Sequence, residues 1–343
     1  MAPLNPRQAM AGRYKSVTTA VCLHPDAPKG CSGYAIRSHT LQKGAALAAI
    51  AEDQHVISGG VPAAKRIMDN AGEVIPQRTG VNQASTFPGF CSNHDTSLFL
   101  PIERGEVPIT REAAFLLGYR TMAYELSAKQ AGLKGFTEFS VVADAGQPFE
   151  EQARIQTEID AMSSGMKLGE EDLARWKADL DGIYRRKDWL KAEMLAVQFD
   201  GVLPFVVAFA LQPEWDFQGR RLQHAFVKHP AQTSLTVTVA GGKTLALFTW
   251  FEGSSVGAEL AQSFVAIPEN DRPTALLRHC LAFSENIHMR PSWWASLTDE
   301  ERADALTLIR VGMPIRNAPP RKSALGAGPL ALPPVQSQIL TLA

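Results

Sequence analysis

No apolar run in this chain approaches the roughly 18–20 residues that a membrane-spanning helix requires. The opening Met1-Ala2-Pro3-Leu4-Asn5-Pro6-Arg7 has no apolar core of the signal-peptide kind. The expectation is a cytoplasmic protein with no membrane partner, in a compartment where thiols stay reduced and available to metals. An excess of one charge is also missing. The 34 Lys and Arg are set against 35 Asp and Glu, a net charge of -1, so no global field draws the chain to nucleic acid and any such surface must be a local patch. Cysteine is scarce, four in 343 residues, which excludes a disulfide scaffold. No internal repeat is present, and Ser254 has no nucleophile elbow around it. Gly241-Gly242-Lys243-Thr244 lacks the first glycine of a phosphate loop and joins two strand-like runs.

What cysteine there is has a pattern. Cys22, Cys31 and Cys91 precede a histidine, His94, three places beyond the last of them. Three thiolates and one imidazole complete a tetrahedral shell for Zn²⁺. The final pair has zinc-knuckle spacing, and the wider Cys22/Cys31 gap contains Pro25, Pro28 and Gly30, residues suited to a returning loop. His24 is an alternative ligand, and His39, in the polar segment Ser38-His39-Thr40-Leu41-Gln42-Lys43, is another. Cys280 stands among leucines and phenylalanine and reads as core packing.

The order of patterns along the chain predicts an α+β protein: an N-terminal zinc-stapled module over 1–105, a helical hairpin region over 106–200, an α+β domain with antiparallel strands over 201–316, and a flexible tail over 317–343. Residues 56–80 read as an irregular or hairpin excursion. Helical spacing begins at Thr110, a suitable N-cap. It continues over 148–163 and 169–197 with a break at Ser163-Ser164-Gly165. The basic residues of that last stretch, among them Arg175, Lys177, Arg185 and Arg186, read as a solvated face. Val202–Leu211 is a buried strand, and Gly241-Gly242 between alternating runs signals a hairpin. Helices follow near 255–263, 273–283 and 299–311, the last with Thr298 and Glu301 placed for a capping box.

The first cysteine pair runs into Tyr34-Ala35-Ile36 and Ser38-His39, and the Cys91-x-x-His94 knuckle opens a helix near Asp95–Phe99. This order resembles the treble-clef, ββα-metal arrangement of His-Asn-His (HNH) nucleases. It is also similar to a group of uncharacterised bacterial proteins with the phrase Cys…Ser-His-Thr-Leu-Gln…Gly-Phe-Cys-x-x-His-Asp. The resemblance covers about residues 20–104. It implies that His39 is the general base activating water, that Asp95 holds a catalytic Mg²⁺ or Mn²⁺, and that Asn82 orients the imidazole. It departs from the family where Ser38 stands in place of an acidic residue and Gln42-Lys43 in place of a proline. The function it implies is a metal-dependent nuclease acting on nucleic acid, associated with bacterial defence. The alternative is a non-catalytic binding or scaffold protein with a structural zinc, engaging a protein partner through its helical or C-terminal domain.

Overall fold

Alternation within four long strands decides the architecture. The computed structural model describes residues 21–60, 74–103, 107–141, 143–224, 227–311 and 327–342. The first twenty residues, the middle of the 56–80 excursion, Arg104 and the 317–326 part of the tail lie outside the described residues. The strands are β1 (Arg37–His39), β2 (His55–Ser58), β3 (Gln77–Gly80), β4 (Thr86–Pro88), β5 (Ala192–Phe199), β6 (Phe205–Leu211), β7 (Thr233–Ala240), β8 (Lys243–Phe251), β9 (Ile287–Met289) and β10 (Ser337–Leu340). The main helices are α1 (Ser92–Glu103), α2 (Arg111–Ser140), α3 (Phe149–Arg186), α4 (Ser255–Val265), α5 (Arg272–Phe283), α6 (Pro291–Ser296) and α7 (Asp299–Ile309).

Eight strands form one sheet in the order β10-β5-β8-β7-β6-β9-β2-β3, every described pairing antiparallel. Leu195, Val197, Phe199, Phe205, Val207, Phe209, Leu235, Val237 and Phe248 point to one face, where they meet α4, α5 and α7. Met194, Ala196, Leu245 and Leu247 point to the other, against α2 and α3. With both faces covered, the central strands read as continuous apolar runs although the sheet is antiparallel. Strands β2 and β3, from the 1–105 stretch, continue this sheet by pairing with β9, Ile57 opposite Met289. The far end of the tail docks as β10 on β5, Ile339 opposite Val197.

The α+β class, the antiparallel hairpin β7–β8 and the C-terminal helices agree with the sequence expectation. The Thr298–Glu301 capping box is present on α7, and the Thr110 hydroxyl accepts the Ala113 N–H at 3.2 Å to cap α2. Three expectations are corrected. The break at Ser163-Ser164-Gly165 does not occur, because α3 runs unbroken from Phe149 to Arg186 and the Ser164 hydroxyl donates to the Asp160 carbonyl within it. The helix expected over 169–197 ends earlier, at a left-handed Lys187 (φ 53°). Residues 192–199 instead form β5, since their alternating side chains fill both cores. Lys177 is not on a solvated face: it is 6% exposed, bonded to Asp181 at 2.6 Å, and lies over the Tyr119 ring.

Beside the large sheet, β1 and β4 make a two-stranded ribbon with His39 opposite Thr86. The chain passes directly from β4 to α1, while β2 and β3, which lie between β1 and β4 in sequence, belong to the large sheet. Phe87, Phe90, Cys91, Leu98 and Phe99 share a core with Tyr119, Met122 and Leu180 of α2 and α3. This contact seats the cysteine-bearing loops on the hairpin.

Candidate metal centre and the histidine beside it

Two backbone bonds bring the distant cysteines together. The Leu23 N–H donates to the Gly89 carbonyl at 2.7 Å, and the Ile36 N–H to the Phe90 carbonyl at 2.7 Å. They hold the segments around Cys22 and before β1 on either side of Gly89-Phe90. Gly89 is needed here, since a Cβ would lie 2.1 Å from the Phe87 ring. Cys91 stands just before α1, its carbonyl accepting the Asp95 N–H at 2.8 Å, and His94 follows at i+3 in the first turn. Gly30 adopts φ +76° in the loop that returns Cys31.

The Sγ atoms of Cys22, Cys31 and Cys91 lie 3.4, 3.5 and 3.5 Å from Nδ1 of His94. All four donor atoms are within 4.8 Å of one another. A tetrahedral ion with Zn–S near 2.3 Å and Zn–N near 2.0–2.1 Å separates S from N by about 3.6 Å, so the donor set has the dimensions of a zinc shell. Cys22, Cys91 and His94 are buried and Cys31 is partly exposed. Burial favours the neutral Cys91 thiol, but the N–H groups of His94 and Ser32 favour its thiolate and bring it down to about 6. The Cys31 thiol is pushed up to about 11 by desolvation and the neighbouring Cys22. A cation at the centre would stabilise all three thiolates.

The histidine ambiguity resolves on geometry. The His24 ring stacks on His94 at 3.8 Å, and its Nδ1 accepts the Asp26 N–H at 3.2 Å. His24 therefore packs against a ligand and stands outside the converging set. His39 stands outside it too. It lies on the ribbon, half-buried, with Nε2 3.1 Å from the Val81 carbonyl. A carbonyl only accepts, so Nε2 carries the hydrogen and Nδ1 keeps a lone pair. Burial, with Arg120 and Lys43 nearby, lowers the His39 pKa, while the Val81 bond and Glu103 act the other way. The net effect favours the neutral ring.

The remaining sequence candidates are placed as follows. Asn82 is exposed in the turn after β3, directly following Val81, and the Val81 carbonyl, rather than the Asn82 amide, meets the His39 ring. Asp95 sits in the first turn of α1 with Oδ1 buried and unpartnered. Ser38, 1% exposed, likewise has an unpartnered hydroxyl. No hydrogen bond joins His39, Asn82 and Asp95 to one another among the described residues. Sequence reasoning overlooked Gln42, whose amide donates to the Ile102 carbonyl of α1 while its Oε1 accepts from Thr238 of β7 at 3.3 Å. It thereby ties the ribbon's exit to both helix and sheet. The signal was there: an amide in an otherwise apolar stretch, Leu41-Gln42-x-x-Ala45-Ala46-Leu47. Arg120, 3% exposed, lies over Phe99 at 4.4 Å and pairs with Glu103.

The geometry defines a Cys₃His cluster able to hold a metal ion, with a separate histidine on the ribbon. No family model, curated protein or solved structure matches the chain. No described helix is long and apolar enough to cross a membrane.

Proposed function

We propose that the chain is a metal-dependent phosphodiesterase of the HNH kind acting on nucleic acid, with zinc in the Cys₃His shell as a structural staple. The observation that carries this reading is the hydrogen bond from His39 Nε2 to the Val81 carbonyl. It fixes the tautomer that a general base needs, with Nδ1 free to accept, and the lowered pKa keeps that lone pair available at neutral pH. The ribbon and the helix after it support the same reading, because His39 stands on β1 and Asp95 on α1, which directly follows β1's partner β4.

In this account His39 Nδ1 takes the proton of an attacking water as its oxygen bonds to phosphorus. The P–O bond to the leaving sugar oxygen then breaks, and that oxygen is protonated from solvent. Asp95 is the residue that would hold a Mg²⁺ or Mn²⁺, since its Oδ1 is buried without a partner. Such a cation supplies charge stabilisation on the phosphate oxygens. Asn82 acts through its turn, which presents the Val81 carbonyl to the ring. Zinc only fixes the module, because all four of its positions are filled by protein.

The test is cleavage of DNA and RNA by the zinc-loaded protein with added Mg²⁺ or Mn²⁺. His39→Ala should abolish cleavage and leave zinc content unchanged. Inactivity across both nucleic acids and both metals would leave a binding protein with a structural zinc.

A further inference from the structure

Strand β2 ends in Ser58-Gly59-Gly60, and both glycines are needed where the chain crosses the segment leading into β9. A Cβ at Gly59 would lie 2.8 Å from the Ile287 side chain, and one at Gly60 would lie 1.8 Å from the Glu285 carbonyl oxygen. The Gly59 N–H donates to the Ile287 carbonyl at 2.9 Å. This close approach sets Ser58 directly opposite His288 in the β2–β9 ladder. Ile287 and Met289 turn into the core beneath α4, α5 and α7, so His288 and Ser58 share the other face of the sheet.

Three side chains there form a series of hydrogen bonds whose direction is fixed. The Asn286 amide nitrogen donates to the Ala208 carbonyl at 2.9 Å, which leaves its Oδ1 to act as an acceptor. His288 Nε2 lies 3.1 Å from that oxygen and therefore carries the ring hydrogen. Nδ1 keeps the lone pair, and Ser58 Oγ, 3.0 Å away, donates to it. Asn286 and His288 are 2% and 4% exposed, whereas Ser58 is partly exposed. Burial, with the charge of His39 second, pushes the His288 pKa down to about 3, so the acceptor stays free of a proton. A histidine that only packed would need its nitrogens paired, in either direction. Here the outermost member is a hydroxyl whose proton points inward, to a base held in turn by a third group, which is the arrangement that activates a nucleophile.

We propose that Ser58 is the nucleophile of a catalytic centre that hydrolyses small activated acyl esters and thioesters, with His288 as its base and Asn286 as the residue that positions the ring. Ser58 Oγ bonds to the acyl carbon as its proton passes to His288 Nδ1. The bond to the leaving oxygen or sulfur breaks, and that atom takes the proton from Nδ1. Water then attacks the acyl-serine and gives a proton to Nδ1; the acid departs as that proton returns to Ser58 Oγ. A buried imidazole is a weak base, so the centre suits leaving groups that need little assistance, a phenolate or a thiolate, and not amides. It shares no residue with the Cys₃His cluster or with His39, Asn82 and Asp95, and it stands whether or not the chain cleaves nucleic acid.

The test treats the full-length, zinc-loaded protein with a fluorophosphonate, which bonds to a serine oxygen with loss of fluoride, and separately follows hydrolysis of p-nitrophenyl acetate. The adduct should map to Ser58 by peptide mass spectrometry and form at least about a hundredfold faster than on any other serine, the usual contribution of a positioned base. Ser58→Ala, a small change at a partly exposed strand end, should lose adduct and hydrolysis together, with thermal melting showing that it folds. Asn286→Asp should be labelled faster than wild type, because a carboxylate raises the basicity of the ring it holds, a gain that a merely structural amide would not give. No adduct at Ser58, unchanged hydrolysis in folded Ser58→Ala, or labelling no faster in folded Asn286→Asp overturns the proposal.

Discussion

Acid should destabilise this protein through a histidine that has no hydrogen-bond partner. His279, on α5, is 4% exposed, lies 4.6 Å from the Phe217 ring and 4.7 Å from the Phe283 ring, and neither of its ring nitrogens is bonded. Burial alone pushes its pKa down to about 3. The folded state refuses a proton that the unfolded chain takes up below about pH 6.5. Stability is therefore intact above that value and falls as pH drops from about 6.5 toward 3, where the loss levels off. At about pH 4.5 the deficit is two pH units, or about 2.7 kcal/mol from this side chain. His279→Phe removes the titrating group and suits the aromatic surroundings. Urea unfolding of both proteins at pH 8 and pH 4.5 isolates the effect, because any acid loss of metal is common to the two. The variant should gain about 2–3 kcal/mol on wild type between the two conditions. Equal losses in both proteins would mean that His279 is solvated or bonded in solution, and the burial argument would be wrong.

Other consequences follow from the same contacts. Lys177→Met leaves Asp181 with only the Tyr119 hydroxyl, which donates to it at 2.7 Å. Breaking one side of so enclosed a pair should lower stability by about 3 kcal/mol in denaturant titration, and a change below about 0.5 kcal/mol would show that the pair is solvated. Gln42→Leu should loosen the junction of ribbon, α1 and β7 by about 1–2 kcal/mol, the usual effect of leaving a buried carbonyl and hydroxyl unpaired. Hydrogen exchange over 37–47 and 98–103 should rise with it. If His39 is the base of cleavage, the acid fall in its rate should have its midpoint below the value near 6.5 of an ordinary histidine. A rate that halves near pH 6.5 would contradict the lowered His39 pKa.

The convergent Cys₃His cluster was legible in the sequence because thiols and imidazoles are few and their spacing is chemically constrained. Cys22, Cys31, Cys91 and His94 converge, and only geometry was needed to set His24 and His39 aside. The class of fold was legible where periodicity is strong, as in the β7–β8 hairpin and the capping box of α7. It was not legible at residues 192–199, where a strand buried on both faces has the apolar density of a helix end. Nor did spacing reveal that β2 and β3 extend the large sheet through β9, since short strands take their partners from tertiary context. Lys177 was misread because a lysine's type implies exposure, while its burial depends on Asp181 one turn away and Tyr119 on another helix. The Val81 carbonyl is a backbone group, and no residue identity announces it.

The central claim is that three sulfur atoms and one imidazole nitrogen surround a single zinc ion. X-ray absorption at the zinc edge on stoichiometrically analysed protein tests it most directly. The account predicts one zinc per chain with three sulfur neighbours near 2.3 Å and one nitrogen near 2.0 Å. A metal-free protein that keeps its fold, or a bound ion with an oxygen-rich shell, would contradict it.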